Sequence, residues 1–163
     1  MSADDFEELL LQSGRRHPHR LARADYTRPG VVIFVTFCRK AEFDLDKPHV
    51  CAGIVDAAVR MGSAYGLQVE AYCVMPDHVH LAMRVLSRGS QFEKWMRYTK
   101  RESQRAVGID RLWQRSCWDV SAGTEGAAQA MIQYILENPV RKRLCSRREQ
   151  WPYLWARSDR ETQ

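Results

Sequence analysis

Apolar positions along the chain fall into runs whose spacing switches between that of a strand and that of a helix. Val31 to Cys38 is a β-branched and aromatic run, which reads as a buried strand. From Pro48 to about Tyr65, residues Val50, Ile54, Ala57, Ala58 and Met61 recur at helical spacing. Proline stands in the first turn of this helix and Gly66 is its stop. Gln68 to Met75 reads as a second strand, broken by Pro76-Asp77, and His78 to Val85 as a third. After a turn at Ser87 to Ser90, a helix runs from about Gln91 to Val107 and is ended by Gly108. Leu112 to Val120 reads as a further strand, followed by a loop at Gly123 and Gly126. A last long helix covers Ala127 to Glu137 and ends near Asn138-Pro139, because a residue before proline avoids the α region. The order β-α-β-β-α-β-α predicts an α+β fold, a small central antiparallel β-sheet with helices packed on it.

The flanks differ from this body. Residues 1–25 read as an N-terminal arm, with a short amphipathic piece from Phe6 to Leu11 and then Gly14-Arg15-Arg16-His17-Pro18-His19-Arg20. His17 and His19 are separated by proline and surrounded by arginine, which fits a flexible, DNA-touching segment better than a metal site. One domain is expected over 26–155, with aromatic residues Trp151, Tyr153 and Trp155 near its end, and a tail over 156–163. A chain of 163 residues suffices for one sizeable core. No stretch approaches the roughly 18 apolar residues of a membrane span. The acidic N-terminus lacks the pattern of a secretory signal, and the five dispersed cysteines fit reduced thiols. A cytoplasmic protein is expected.

Charge changes the picture through its distribution. The net charge is +5, but the first ten residues hold four acids and no base, so the remainder carries +9. Arg141, Lys142, Arg143, Arg147 and Arg148 form one basic run with no acid. Lys94, Arg97, Lys100, Arg101 and Arg105 form a stripe on the helix after Gln91. Such surfaces attract a polyanion, although either run alone also fits a solvated face.

Candidate chemistry begins at His78-Val79-His80-Leu81-Ala82-Met83-Arg84-Val85. Alternation on a strand makes Val79, Leu81, Met83 and Val85 one apolar face and puts His78, His80, Ala82 and Arg84 on the other. Two imidazoles at i and i+2 can converge on one metal ion. An isolated pair fits the solvent side of an edge strand better, so the pair needs support from elsewhere in the chain. Further along, Tyr134 and Asn138 stand four apart, so phenol and carboxamide project together near a helix end. A carboxamide oxygen is a hard ligand that suits Mg²⁺ or Mn²⁺. Taken alone, Tyr134 also fits a core tyrosine with Asn138 as a helix cap.

Together the two elements resemble the REP-associated tyrosine transposases, a branch of the His-hydrophobic-His (HUH) single-tyrosine transposase superfamily. The resemblance runs from about Tyr26 to Tyr153. Its anchors are Val74 to Leu81, Leu112-Trp113-Gln114, Trp118-Asp119, and Tyr134 to Arg141. It implies a ferredoxin-like fold in which His78 and His80 bind a divalent metal, Tyr134 is the nucleophile and Asn138 is the third metal-coordinating side chain. It also implies cleavage of single-stranded DNA beside hairpins formed by repetitive extragenic palindromes, with relatives that are monomers or swapped dimers. The chain departs from the family pattern at two places: Asp77 replaces a usual Asn, and Lys142-Arg143 replaces a usual Ala-Gly.

Other residues are candidates for the same chemistry. Tyr72 can be placed beside the metal, though core or sheet packing explains it better. Trp95 and Tyr98 are candidates for stacking on unpaired bases, beside the cations Arg97, Lys100, Arg101 and Arg105. Arg141, Lys142 and Arg143 are the corresponding DNA contacts after the last helix. Asp119 reads as a turn or cap acid rather than a general base. A hairpin-binding module that does not cut, and a metal-dependent nuclease that uses water, are the competing functions.

Overall fold

The computed structural model describes residues 1–12, 25–40 and 42–160; His17 and His19 lie outside them. The strands are β1 (Val32–Cys38), β2 (Leu67–Val74), β3 (His78–Val85), β4 (Trp118–Ala122) and β5 (Leu154–Ala156). The helices are α1 (Ala3–Gln12), α2 (Pro48–Tyr65), α3 (Phe92–Val107) and α4 (Glu125–Arg141). The five strands form one antiparallel sheet in the order β4-β1-β3-β2-β5. This is the α+β fold expected from the pattern, with the ferredoxin-like order 4-1-3-2 extended by one strand. Among the described residues no helix is long and apolar enough to cross a membrane.

Strand alternation sorts the core into two halves. Ile33, Val35 and Phe37 of β1 and Val79, Leu81, Met83 and Val85 of β3 pack with α2 and α3. Val32 and Phe34 of β1 and Ala82 of β3 pack with α1 and α4. The central strands are therefore covered on both faces. Pro48 opens α2, and Gly66 closes it at φ 72°, where a Cβ would lie 2.8 Å from Ser90 Oγ.

β2 does not alternate strictly. Its register against β3 shifts between Val69 and Ala71, so Glu70 is an extra residue in the ladder. Leu67 and Val69 face α2 before the bulge, while Ala71 and Cys73 face α4 after it. The bulged Glu70 is buried and pairs with Arg84 at 3.2 Å and Arg157 at 3.6 Å.

Three elements differ from the pattern-based expectation. The strand expected over Leu112 to Val120 is confined to β4, and the residues before it form a loop. Leu112 and Trp113 of that loop are buried in the core. The loop is held by the Trp113 indole, which donates to Ser103 Oγ at 2.9 Å, and by Lys100. α4 begins earlier than expected, capped by Thr124 Oγ1 accepting from the Ala127 N–H at 3.2 Å, and it runs through Pro139 to Arg141. Proline removes one helical donor, but Asn138 and Pro139 are buried. The Lys142 N–H reaches Asn138 O and the Leu144 N–H reaches Pro139 O, at 2.9 and 2.8 Å. Packing overrides the local preference of the residue before proline. Finally, the aromatic end of the chain adds β5 to the sheet, and this strand crosses the expected 155/156 boundary.

Candidate active site

β3 is the central strand of the five: β1 and β2 flank it, so its side chains are held by two neighbours. His78 and His80 share the face toward α4, and their Nε2 atoms stand 2.9 Å apart. The other nitrogen of each ring is held. His78 Nδ1 is 2.6 Å from Asp77 Oδ1, and His80 Nδ1 is 2.8 Å from Thr36 Oγ1. Thr36 sits directly opposite His80 in the β1–β3 register.

Burial depresses the pKa of both imidazoles, because the charged form loses its hydration. For His78 the Asp77 carboxylate pulls upward against that burial. His80 has no such partner and lies well below its usual value, lowered further by His78 and Lys142. Both rings are therefore held toward the neutral form, which a metal ligand requires.

α4 brings Tyr134 to the same place. Its ring centroid is 6.0 Å from that of His80 and 5.9 Å from that of Phe34. Phe6 of α1 meets the ring edge-on at 5.4 Å, and the Arg141 guanidinium lies 5.7 Å from its centroid. Burial raises the phenol pKa, and a hydrogen bond with the Asn138 side chain, one turn on, acts against that rise. Asn138 is 1% exposed, and its Oδ1 is buried with no hydrogen-bond partner. An orphaned carboxamide oxygen is costly unless something accepts its lone pairs.

Among the described residues no group of three or more His, Cys, Asp or Glu side chains can hold a metal ion. A metal here would rest on two imidazoles and a carboxamide. Two convergent imidazole nitrogens together with an unsatisfied buried oxygen on the facing helix fit a divalent cation.

The basic residues divide between the two sheet faces. Arg141, Lys142 and Arg143 follow Tyr134 on the His-bearing side. Lys142 and Arg143 are exposed, while Arg141 is matched by Asp4 at 2.8 Å, by Glu7, and by Glu137 at 3.9 Å. Arg97, Lys100, Arg101 and Arg105 lie on α3, which packs on the opposite face. Arg101 and Arg105 meet Glu102 at 3.0 and 3.3 Å. The Lys100 ammonium donates to the carbonyls of Gln114 and Ser116 at 2.8 and 2.9 Å, so it ties down the loop before β4. Trp95 is fully buried and its indole donates to Ala58 O at 3.1 Å, so it cannot stack on a base. Tyr98 is half-buried, stacked on Tyr65 at 5.6 Å with Arg97 and Arg101 over its ring.

The remaining candidates have structural roles. Tyr72 points away from the histidines and stacks on Trp155 at 6.0 Å. Asp119 lies on β4, not in a turn or cap, and accepts from the Tyr26 hydroxyl at 2.5 Å. Cys51 and Cys73 are buried, which pushes the Cys51 thiol up to about 11 and that of Cys73 higher. Thr36 and Phe34 escaped the sequence reading. The signal for Thr36 was a lone hydroxyl within an apolar strand.

The fold and this site describe a ferredoxin-like α+β domain that sets paired histidines against a helix-borne tyrosine. No family model matches the chain. A protein of Haemophilus influenzae named "Putative REP-associated tyrosine transposase" is 24% identical over 151 residues, 80% of this chain and 82% of that protein. The REP-associated tyrosine transposase of Escherichia coli is 23% identical over 86 residues, 53% of this chain. That match spans about half (52%) of the E. coli protein's length. A solved structure of a REP-associated tyrosine transposase bound to a REP hairpin superimposes with a TM-score of 0.71 at 20% identity. It covers 83% of this chain and 81% of that one. The chain is thus similar to REP-associated tyrosine transposases over most of its length, in sequence and in fold.

Proposed function

We propose that this protein is a transposase-type DNA strand transferase that cuts and rejoins single-stranded DNA beside hairpin-forming repeats. In this reading Tyr134 is the nucleophile, and His78, His80 and Asn138 hold a divalent ion, Mg²⁺ or Mn²⁺. The observation that carries it is the meeting of the two Nε2 atoms, 2.9 Å apart, with the Tyr134 ring centroid 6.0 Å from that of His80. The hairpin partner follows from the likeness to a relative solved with a REP hairpin.

Burial keeps both imidazoles neutral, so their lone pairs are available at neutral pH. When bound, the ion neutralises charge on the scissile phosphate and stabilises the transition state. Tyr134 Oη attacks phosphorus; the new O–P bond forms as the bond to the 3′-oxygen breaks, and the phenol proton is lost while the 3′-oxygen gains one. The downstream strand is left on the protein as a 5′-phosphotyrosine. One phosphodiester replaces another, so the step reverses with an incoming 3′-hydroxyl and needs no ATP. Asn138 holds the phenol and counters the upward pull of burial on its pKa. Lys142 and Arg143, exposed at the end of α4, would attract the strand to the His-bearing side, and Arg97, Arg101 and Arg105 would extend that attraction to the other face.

The test uses hairpin DNA labelled 3′ of the cut, incubated with the protein and Mg²⁺ or Mn²⁺. Wild type should yield labelled protein on a denaturing gel, and Tyr134→Phe should yield none while keeping its fold and hairpin affinity. Cleavage without any adduct would favour a water-using nuclease. Hairpin binding with neither cleavage nor adduct would favour a binding module.

A further inference from the structure

The two histidines are alike in their Nε2 atoms and unlike in what holds their Nδ1 atoms. We propose that Asp77 and Thr36 are positioning residues with different tasks: Asp77 locks His78 as the fixed metal ligand, and Thr36 makes His80 the adjustable one. The proposal rests on the metal reading above.

The argument starts from donor and acceptor capacity. A carboxylate only accepts hydrogen bonds. With Asp77 Oδ1 at 2.6 Å, a neutral His78 must carry its proton on Nδ1, which leaves the Nε2 lone pair bare and aimed at His80. Pro76-Asp77 is the tight link between β2 and β3, so the residue that turns the chain also sets the ring of the next one. A carboxylate behind an imidazole also makes the far nitrogen a stronger ligand.

A threonine hydroxyl both donates and accepts. With Thr36 Oγ1 at 2.8 Å, His80 is satisfied in either tautomer. To ligate through Nε2, His80 carries its proton on Nδ1 and Thr36 accepts it. To donate from Nε2 toward His78, His80 leaves Nδ1 bare and Thr36 donates. The hydroxyl rotates about one bond, so the exchange moves no backbone. Thr36 is the hydroxyl residue of β1, 8% exposed and in register with His80, among side chains that are otherwise apolar or thiol. Sheet packing alone would be served as well by valine.

Two measurements on the full chain test this. Long-range ¹⁵N–¹H NMR of the metal-free protein reports each ring's tautomer. His78 should carry its proton on Nδ1 in the wild type and lose that preference in Asp77→Ala. Mn²⁺ binding by calorimetry should weaken by about 10–100-fold in Asp77→Ala and in Thr36→Val, with Thr36→Ser restoring affinity, the range seen when a second partner of a ligating histidine is removed. The denaturant midpoint of each variant separates this effect from lost folding. A proton on His78 Nε2 in the wild type overturns the proposal. So does wild-type Mn²⁺ affinity in both Asp77→Ala and Thr36→Val when His78→Ala and His80→Ala have lost binding; the metal reading would then stand without it. Undiminished affinity in His78→Ala and His80→Ala would remove the metal reading and this proposal together.

Discussion

The two faces of the sheet are built from the same strands and do different work. Toward α2 and α3, β1 and β3 present Ile33, Val35, Phe37, Leu81 and Met83, and the layer is closed by the buried Trp95. Toward α4, the same strands present Phe34 and Ala82 beside Thr36 and His80, and the helix answers with Tyr134 and Asn138. Strand periodicity thus lets one eight-residue segment place core side chains on odd positions and, on even ones, the histidines of the proposed site. The polar face is tolerable because Thr36, His78 and His80 are partnered there, while among the described residues Asn138 Oδ1 is buried with no hydrogen-bond partner.

The sharpest way to break this comparison is to substitute neighbours on β3. Leu81 is fully buried among α2 and α3 side chains, and Leu81→Ala should cost about 2–5 kcal/mol of stability. His80→Gln keeps a polar group near Thr36, so its cost should be on the order of 1 kcal/mol, yet it should abolish metal-dependent cleavage. Denaturant unfolding and the adduct gel measure the two. Equal destabilisation by both would mean that the faces are not functionally distinct.

Next in size is the separation of the basic residues. Replacing Arg141, Lys142 and Arg143 by Gln should weaken DNA binding and flatten its dependence on salt by about two phosphate contacts rather than three, each contact contributing roughly 0.7 to the log–log slope for a single strand. Arg141 is discounted because acids already match it. Replacing Arg97, Arg101 and Arg105 on the far face should also weaken binding, but should leave cleavage of a short saturating substrate close to wild type. Loss of cleavage in the α3 variant would show that the substrate must engage both faces.

A smaller effect distinguishes the faces by pH. Both imidazoles are held below their usual value of 6.5, chiefly by burial. Below that pH the unfolded chain takes up protons that the folded chain refuses. Their contribution to stability is therefore full above about pH 6.5 and declines as the pH falls through it. The urea midpoint of the wild type should drop between pH 7.5 and 5.5, and that of His80→Gln should drop less. Parallel curves would place the acid sensitivity elsewhere.

Much of this was legible in the sequence, for physical reasons that also mark where legibility ended. Period-two alternation put His78 and His80 on one face, and the i, i+4 spacing joined Tyr134 to Asn138; both depend only on local backbone geometry. Gly66 and Gly108 ended their helices as expected, each in the left-handed region. What escaped depends on long-range packing. The bulge at Glu70 reverses the phase of β2, and strict alternation from Leu67 and Val69 would have turned Tyr72 toward the histidines. α4 crosses Pro139 because its final turn is buried. Trp95 and Lys100 sit within a basic stripe, yet one faces the core and the other three carbonyls of a loop, which depends on how α3 lies against its neighbours. Thr36 gained its role from strand register, a property of two segments more than forty residues apart.

The smallest predicted effect concerns α1, whose acids match a cation on the His-bearing side as Glu102 matches Arg101 and Arg105 on α3. Asp4 and Glu7 match Arg141, while Phe6 packs against Tyr134 and Phe34. Surface ion pairs of this kind contribute only about 0–1 kcal/mol, so Asp4→Asn with Glu7→Gln should barely change the unfolding midpoint. The same pair of substitutions removes two negative charges beside a cation that DNA phosphates would otherwise meet. Affinity for single-stranded DNA should rise by roughly a few-fold, and its salt dependence should steepen by up to about one phosphate contact. Phe6→Ala is the control, because it loosens the docking of α1 while leaving its charge intact. If Phe6→Ala steepens the salt dependence as much as the charge variant does, shielding by the body of the helix explains the effect. An unchanged slope in both would mean that Arg141 serves α1 and Tyr134 alone and makes no contact with DNA.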